Sequence, residues 1–414
     1  MAVSIEEALQ IIEKSLVKKS FELIPIENSL NRVIAEKVRA KYPLPNFDNS
    51  AMDGYGVSII DVGKDVKIER TIFAGDRVED DFVLSSESCV KIMTGAKVPK
   101  SVNAIIPFED VENANDEVVS LPNSIKPQQH IRKLGEDISL HETLIEDGER
   151  LNPYRIGILA SQGVSHVNVY REVKVVVFAT GKELKMHYEN IEPHQLFNTN
   201  SPMMVAKAKE LGAKVDFINI TDDNKEAIKN AIRNSLYADL IVTSGGVSVG
   251  EADFTKESFI ELGMETLFSG IDIKPGKPTT FGKIGETAIL MLPGNPSAGL
   301  INFEIFGKSA ILKISGDFRD KLDLIECEIL EDIEIKKGKN SVILGRFDGS
   351  VFQPLQKRSP GMVKPLMDSN GFIILSKDVS KVESGSIVRF MPTSFQWFSS
   401  FQKNLLTESS FNNI

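Results

Sequence analysis

Only two cysteines, Cys89 and Cys327, occur in 414 residues. That is too few for a disulfide framework or a cysteine-rich zinc site, and the expectation is two reduced, buried thiols in a cytoplasmic protein. The five histidines, at 130, 141, 166, 187 and 194, show no H-E-x-x-H or other ligand spacing, which argues against zinc. Apolar stretches are brief, and none approaches the roughly 18–20 residues that span a bilayer. The opening MAVSIEEALQ puts Glu6 and Glu7 where a signal peptide carries basic residues. Neither secretion nor a membrane partner is expected. Basic charge is in deficit: 48 Lys+Arg against 58 Asp+Glu leave −10. Nucleic acid is therefore not an expected partner, and any anion site must be a local basic pocket. Two nucleotide-binding signatures are missing as well: G-x-x-x-x-G-K-[ST], and G-x-G-x-x-G after a strand.

What remains is the composition of a globular protein, 42% apolar and 26% charged, long enough for two to four domains at about 100–200 residues each. Ser4 and Glu7 have capping-box spacing, and Ile5, Ala8, Leu9, Ile12 and Leu16 share one helical face. From Pro43 to Gln129, short β-type runs alternate with Gly, Pro and Asn/Asp clusters. Residues 150–163 return to helix, with Pro153 near its start and Gly163 at its stop. Between 173 and 315 the strands VKVVVFAT, AKVDFINI, DLIVTS and TAILML alternate with helices predicted at 202–211 (Ser201 as N-cap), 224–236, 254–262 and 297–314. This pattern predicts a parallel sheet covered on both faces. LIECEIL, SVILGRF, GFIILS and SIVRFMP then predict a small β-barrel or sheet.

The predicted organisation is α/β plus β and multidomain. It comprises a helical linker domain (1–42 and 130–170), an inserted β-rich domain (43–129), an α/β domain (171–316), a C-terminal β-barrel (317–392) and an aromatic-rich tail (393–414). In that tail Phe395, Phe398, Phe401 and Leu405 share a helical face, predicting a short docked helix with Trp397 as its reporter.

In open α/β sheets ligands bind beyond the carboxyl ends of the strands. All four strand-end loops carry suitable residues: Gly181-Lys182-Glu183, Thr221-Asp222-Asp223, GGVSVGEADFT, and Pro293-Gly294-Asn295-Pro296. Glycines there expose N–H groups that can cradle a phosphate. The acidic residues serve either as helix caps or as ligands for a hard cation. Together the loops point to a nucleotide or phosphate ligand. Lys274-Pro275-Gly276-Lys277-Pro278 adds two lysines on a backbone stiffened by two prolines, a local pocket for an oxyanion.

FDNSAMDGYGV, KIMTGA, GEDI, ATGKEL, TSGGVSVGEADFT, IKPGKP and LPGNP occur in the order found in molybdopterin molybdenumtransferases of the MoeA type, which the chain resembles from about residue 4 to 392. The family is similar to the E domain of gephyrin. The resemblance implies a molybdopterin-binding α/β domain within an elongated homodimer of four-domain subunits. Its ligand cleft would lie between the α/β domain of one subunit and the β-rich domain of its partner. It further implies Mg²⁺-dependent insertion of molybdate into adenylated molybdopterin with release of AMP, and transient contact with the adenylyltransferase acting one step earlier. The implied catalytic residues are Asp53, Thr94, Asp137, Glu183 and Asp222. Metal binding falls to Glu183, Asp222 and Asp253. Substrate contacts fall to Gly245, Gly246, Ser248, Asp253, Lys274, Lys277, Pro293, Asn295, Pro296, Ser297 and Arg346.

Three positions depart from the family pattern: Lys182 replaces an Asp, Ala298 aligns with an anion-contacting Ser, and Val363-Lys364-Pro365 stands where serines are usual. Alternative functions are a molybdopterin adenylyltransferase and a gephyrin-like scaffold. The first is disfavoured by the flanking β modules. The second needs a further trimerising domain and a linker.

Overall fold

The capping pair at the amino terminus closes as its spacing predicts: the Glu7 N–H donates to the Ser4 hydroxyl at 3.0 Å, and the Ser4 N–H to the Glu7 carboxylate at 2.8 Å. In the computed structural model, which describes residues 2–111, 113–181, 183–219, 224–245 and 254–394, this pair starts the helix Ile5–Ser15. Ala8, Ile12 and Leu16 on its apolar face join one core cluster with Val175, Phe268, Ile271 and Ile314. The helix thus packs on the α/β core, and Val3 donates to the Gly270 carbonyl at 3.0 Å.

The central sheet has six strands, in the order Lys214–Asn219, Lys174–Ala179, Leu240–Ser244, Thr287–Leu292, Thr280–Ile284, Glu265–Ser269. The first four are parallel, with helices as crossovers. The sheet is not wholly parallel as the sequence suggested: Thr280–Ile284 runs antiparallel to both its neighbours. Its two-residue connection, Gly285-Glu286, has Gly285 at φ +56°, the left-handed geometry that lets a tight hairpin follow strand twist. Alternation along the buried strands explains their unbroken apolar runs. Val175, Val177, Val242 and Leu290 face one core, while Val176, Phe178, Ile241 and Ile289 face the other, with Ile228 and Phe259 from its covering helices.

Two helix boundaries differ from expectation. The helix predicted from 202 begins at Asn200, and Ser201 does not cap it. Asn198 takes that role: its Oδ1 accepts the Ser201 N–H at 3.1 Å, and its Nδ2 donates to the Ser201 hydroxyl at 3.0 Å. The helix predicted over 297–314 is interrupted by a π-helical turn at Phe303–Gly307, between Pro296–Asn302 and Lys308–Ser315.

Residues 49–120 contain a second six-stranded sheet, ordered Ala104–Pro107, Gly54–Val57, Ser88–Ile92, Asp65–Ile72, Val118–Ser120, Asn113–Ala114, with a separate core on each face. Short pairings lead into and out of it: Phe21–Pro25 with His166–Tyr170, Val38–Arg39 with Thr143–Ile145, and Asn49–Ser50 with Ile131–Arg132. Helix Pro153–Ser161 starts under the Asn152 side chain, which accepts the Arg155 N–H. The barrel near the carboxyl terminus closes through five strands, Ile325–Ile329, Val351–Pro354, Ser341–Phe347, Gly371–Leu375 and Ile387–Pro392. Among the described residues no helix is long and apolar enough to cross a membrane.

Candidate functional site

The four parallel strands send their carboxyl ends to one edge, where the described residues at three of those ends touch. The Gly245 N–H donates to the Leu292 carbonyl at 3.1 Å, and the Thr180 N–H to the Ser244 carbonyl at 3.4 Å. Gly245 stands at φ +91°, and a β-carbon there would press to 2.8 Å from the Thr180 carbonyl oxygen. One at Gly294 would stand 3.5 Å from the Gly245 α-carbon, so these loops lie backbone against backbone. Beneath them the buried Thr180 and Thr255 hydroxyls bond at 2.9 Å. Asn200, also buried, donates from Nδ2 to the Ser244 hydroxyl at 2.6 Å and to the Gly294 carbonyl at 2.8 Å.

Glu183 reaches the same edge. Its carboxylate folds over Gly181, where a β-carbon would be 2.8 Å from Oε1. The side chain is exposed and meets no donor among the described residues. Asn295 and Pro296 open the helix Pro296–Asn302. Ser297 is buried, its hydroxyl donating to the Met362 carbonyl at 2.7 Å and its N–H to that of Pro360 at 3.1 Å. Pro293-Gly294-Asn295-Pro296 is thereby tied to the C-terminal module. Ala298 is buried beside it.

The Lys274–Lys277 loop is held from three sides. The Lys274 N–H donates to the Asn340 carbonyl, and the Val342 N–H returns a bond to the Lys274 carbonyl, both at 2.8 Å. The Gly276 carbonyl accepts from Thr279 Oγ1 at 3.0 Å and from Asn302 Nδ2 at 3.3 Å. With φ at +117° and the Asn302 amide where a β-carbon would go, only glycine fits at 276. Both lysines are exposed, and neither ammonium forms an ion pair with a described residue. Arg346 is exposed on Ser341–Phe347, on the strand face shared with Val342 and Leu344. Lys364, by contrast, is engaged: its ammonium bonds both Asp368 carboxylate oxygens at 2.7 Å.

A second constellation stands on the β-rich sheet. Asp53 Oδ1 accepts the Thr94 N–H at 2.7 Å and the Thr94 hydroxyl at 2.8 Å. These two bonds, the backbone one first, hold the exposed Asp53 carboxyl below the ordinary aspartate range. Asp137 is exposed, anchored through its N–H to the Leu44 carbonyl at 2.9 Å. Among the described residues no hydrogen bond or ion pair joins residues 43–129 to the six-stranded α/β sheet or its loops.

Asp222, Gly246, Ser248 and Asp253, together with Lys182, Trp397 and the remainder of the tail from 395, lie outside the described residues. Two of the three predicted metal ligands are among them, and no cluster of three His, Cys, Asp or Glu able to hold a metal occurs in the described part. Sequence reasoning missed Asn200 and Asn302. Both are buried amides that organise strand-end or lysine-bearing loops. The one available signal was an asparagine inside an otherwise apolar helix face, as in GLINFEIF.

The fold and its strand-end loops define a multidomain protein built on a molybdopterin-binding type of α/β domain. Family models match along most of the chain: "MoeA N-terminal region (domain I and II)" over residues 3–163, "Probable molybdopterin binding domain" over 176–313 and "MoeA C-terminal region (domain IV)" over 328–393. A molybdopterin molybdenumtransferase of Haemophilus influenzae is 32% identical over 90% of this chain and 93% of its own length. Another from Staphylococcus epidermidis is 28% identical over 98% of both chains. The crystal structure of a molybdopterin biosynthesis MoeA protein from Pyrococcus horikoshii superposes with a TM-score of 0.81 at 28% identity, covering 96% of this chain and all of that one. The chain belongs to the molybdopterin molybdenumtransferase family, MoeA type.

Proposed function

We propose that the chain is an enzyme of molybdenum cofactor biosynthesis that inserts molybdate into adenylated molybdopterin and releases AMP. The observation that carries this reading is the relation between the two loop sets of the α/β domain. Helix Pro296–Asn302 has the Pro293–Pro296 loop at one end and, through Asn302, the Lys274–Lys277 loop at the other. Seven residues of helix span about 10 Å. That separation suits an extended substrate with phosphate at one end and an oxyanion at the other. Gly245, Gly246, Ser248, Pro293, Asn295 and Pro296 would then bind the pterin nucleotide, whereas Ser297, buried with its hydroxyl on the Met362 carbonyl, holds the loop in place. Lys274, Lys277 and Arg346 would hold molybdate, a dianion that paired cations suit better than one.

Mg²⁺ would be held by Glu183 with Asp222 and Asp253, and would supply charge neutralisation at the pyrophosphate. An exposed carboxylate with no competing donor among the described residues, as at Glu183, fits a hard-cation ligand. Asp53, Thr94 and Asp137 complete the site from the β-rich domain. Since no hydrogen bond or ion pair among the described residues links them to the sheet's loops, a homodimer in which the partner's β-rich domain closes the cleft is the arrangement we favour. Cytoplasmic location and transient contact with the adenylyltransferase follow from the same reading.

Incubation with adenylated molybdopterin, molybdate and Mg²⁺ tests it. AMP should appear in step with molybdenum cofactor, Glu183→Ala should abolish release, and Lys277→Ala should raise the molybdate requirement about tenfold, the loss of one charge-assisted contact. No AMP from the natural sequence, or synthesis of the adenylated substrate from ATP instead, would overturn it. Full turnover in excess EDTA would remove Mg²⁺ from the scheme.

A further inference from the structure

The loops at the sheet's carboxyl edge come from different strands and meet backbone against backbone. Gly245 follows the strand ending at Ser244, and Gly294 follows its neighbour ending at Leu292. Glycine offers no side chain to fix either loop. One side chain bridges them. Asn200, 6% exposed at the start of helix Asn200–Glu210, uses its Nδ2 group on the Ser244 hydroxyl at 2.6 Å and the Gly294 carbonyl at 2.8 Å. An amide nitrogen has two hydrogens, so this one group holds both loops at once.

The platform under Asn200 is closely packed. Gly299, in helix Pro296–Asn302, lets the two helices close: a β-carbon there would fall 2.8 Å from the Pro293 carbonyl and 3.2 Å from Met204 Cε. Asn198 caps the same helix start through Ser201. The bridging amide is thus fixed from behind by packing and aimed at the loops in front. A group that spans two glycine loops of a binding edge sets their spacing, and with it the fit of what binds between them.

We infer that Asn200 is a positioning residue for the pterin-nucleotide site, a role that rests on the reading of these loops given above. It acts through Ser244 and Gly294, not by touching the substrate. Its donor chemistry, not its volume, is what matters. Asn200→Asp keeps the shape but sets an acceptor against the Gly294 carbonyl. Asn200→Ala removes both bonds, and Ser244→Ala removes one.

Steady-state AMP release with adenylated molybdopterin as the varied substrate, together with thermal melts of each variant, tests this. Asn200→Asp and Asn200→Ala should each raise KM about tenfold, and Ser244→Ala about threefold, with kcat changed less than threefold, in line with the loss of two and one neutral hydrogen bonds. A merely structural asparagine would lower the melting temperature and the active fraction, hence kcat, and leave KM unchanged. That result overturns the inference while the natural sequence still turns over. Failure of the natural sequence to release AMP ends the underlying reading and the inference with it. If the Asn200 variants do not fold, Ser244→Ala decides alone: an unchanged KM there refutes the bridge.

Discussion

Asp48 and Asp53 look equivalent in FDNSAMDGY, yet their surroundings separate them. Asp48 receives Lys133 Nζ at 2.7 Å and the Leu134 N–H at 2.9 Å. Burial works against its charge, but these donors prevail and hold its carboxyl below the ordinary range. It ties Asn46–Ser50 to the segment around Lys133, and each of its carboxylate oxygens already accepts a bond. Among the described residues Asp53 receives only Thr94, and it stays exposed with its second oxygen free of a described donor. A lowered carboxyl pKa means that the Asp53–Thr94 pairing is present above the unfolded aspartate value of about 3.9 and is lost as pH falls through the folded value. Thr94→Val removes the hydroxyl bond and keeps the N–H bond. The Asp53 carboxyl should then titrate higher, part of the way back to the ordinary value, in a carbon-detected NMR titration. AMP release should fall about tenfold, as for loss of one hydrogen bond to a charged group. An unmoved titration would show that the hydroxyl contributes nothing.

Among the elements, the π-helical turn Phe303–Gly307 is the one whose sequence gives least warning. It lies in an apolar run and turns Glu304 into the core at 3% exposure. Lys207, from helix Asn200–Glu210, meets it at 2.9 Å and also reaches Glu210 and the Thr393 carbonyl. Burial pushes the Glu304 carboxyl up by more than Lys207 draws it down. Lys207 stays above its ordinary value, because its two carboxylate partners outweigh its own burial. Removing one member of such a pair leaves an uncompensated buried charge, at a cost of about 3–5 kcal/mol. Lys207→Met should therefore lose about that much stability in urea unfolding at pH 7. The sign at lower pH follows from the raised carboxyl: the folded state binds the proton more tightly than the unfolded state, so acidification neutralises Glu304 in place. The deficit should shrink between pH 7 and pH 5. An equal deficit at both pH values would show that Glu304 is not the group responsible.

For the whole molecule, Asp53 and Thr94 share no hydrogen bond or ion pair with the α/β edge among the described residues, which makes the assembly testable. Each subunit would contribute one half of each cleft. Asp53→Ala and Glu183→Ala subunits, inactive alone, should regain activity when refolded together. Random mixing makes about half the dimers mixed, each with one intact cleft, so about a quarter of the natural activity is expected. A verified mixed dimer with no activity would place Asp53 and Glu183 in the same subunit's cleft. The same experiment repeated with Asp137→Ala in place of Asp53→Ala assigns Asp137 to one side or the other.

Local signals were legible where a few neighbouring residues settle the matter. Ser4 and Glu7 cap the first helix, Asn152-Pro153 starts another, and the unbroken apolar runs VKVVVFA, LIVTS and TAILML become buried strands. The glycines at 245 and 276 could likewise be marked from sequence, since strand-end position and flanking prolines announce unusual backbone. Other features depend on partners far along the chain. Thr280–Ile284 carries no strong strand pattern and becomes a strand because the Gly285 hairpin lays it on Thr287–Leu292. Asn200 and Asn302 are ordinary polar residues until folding places a serine and two glycine carbonyls within reach. Lys364 looks like a new cation for an oxyanion until Asp368, one helical turn on, takes it. Chemistry that rests on residue type and local spacing can be read along a chain. The hydrogen-bond partners of a buried amide, or of a charge, are set by which distant segments packing brings together.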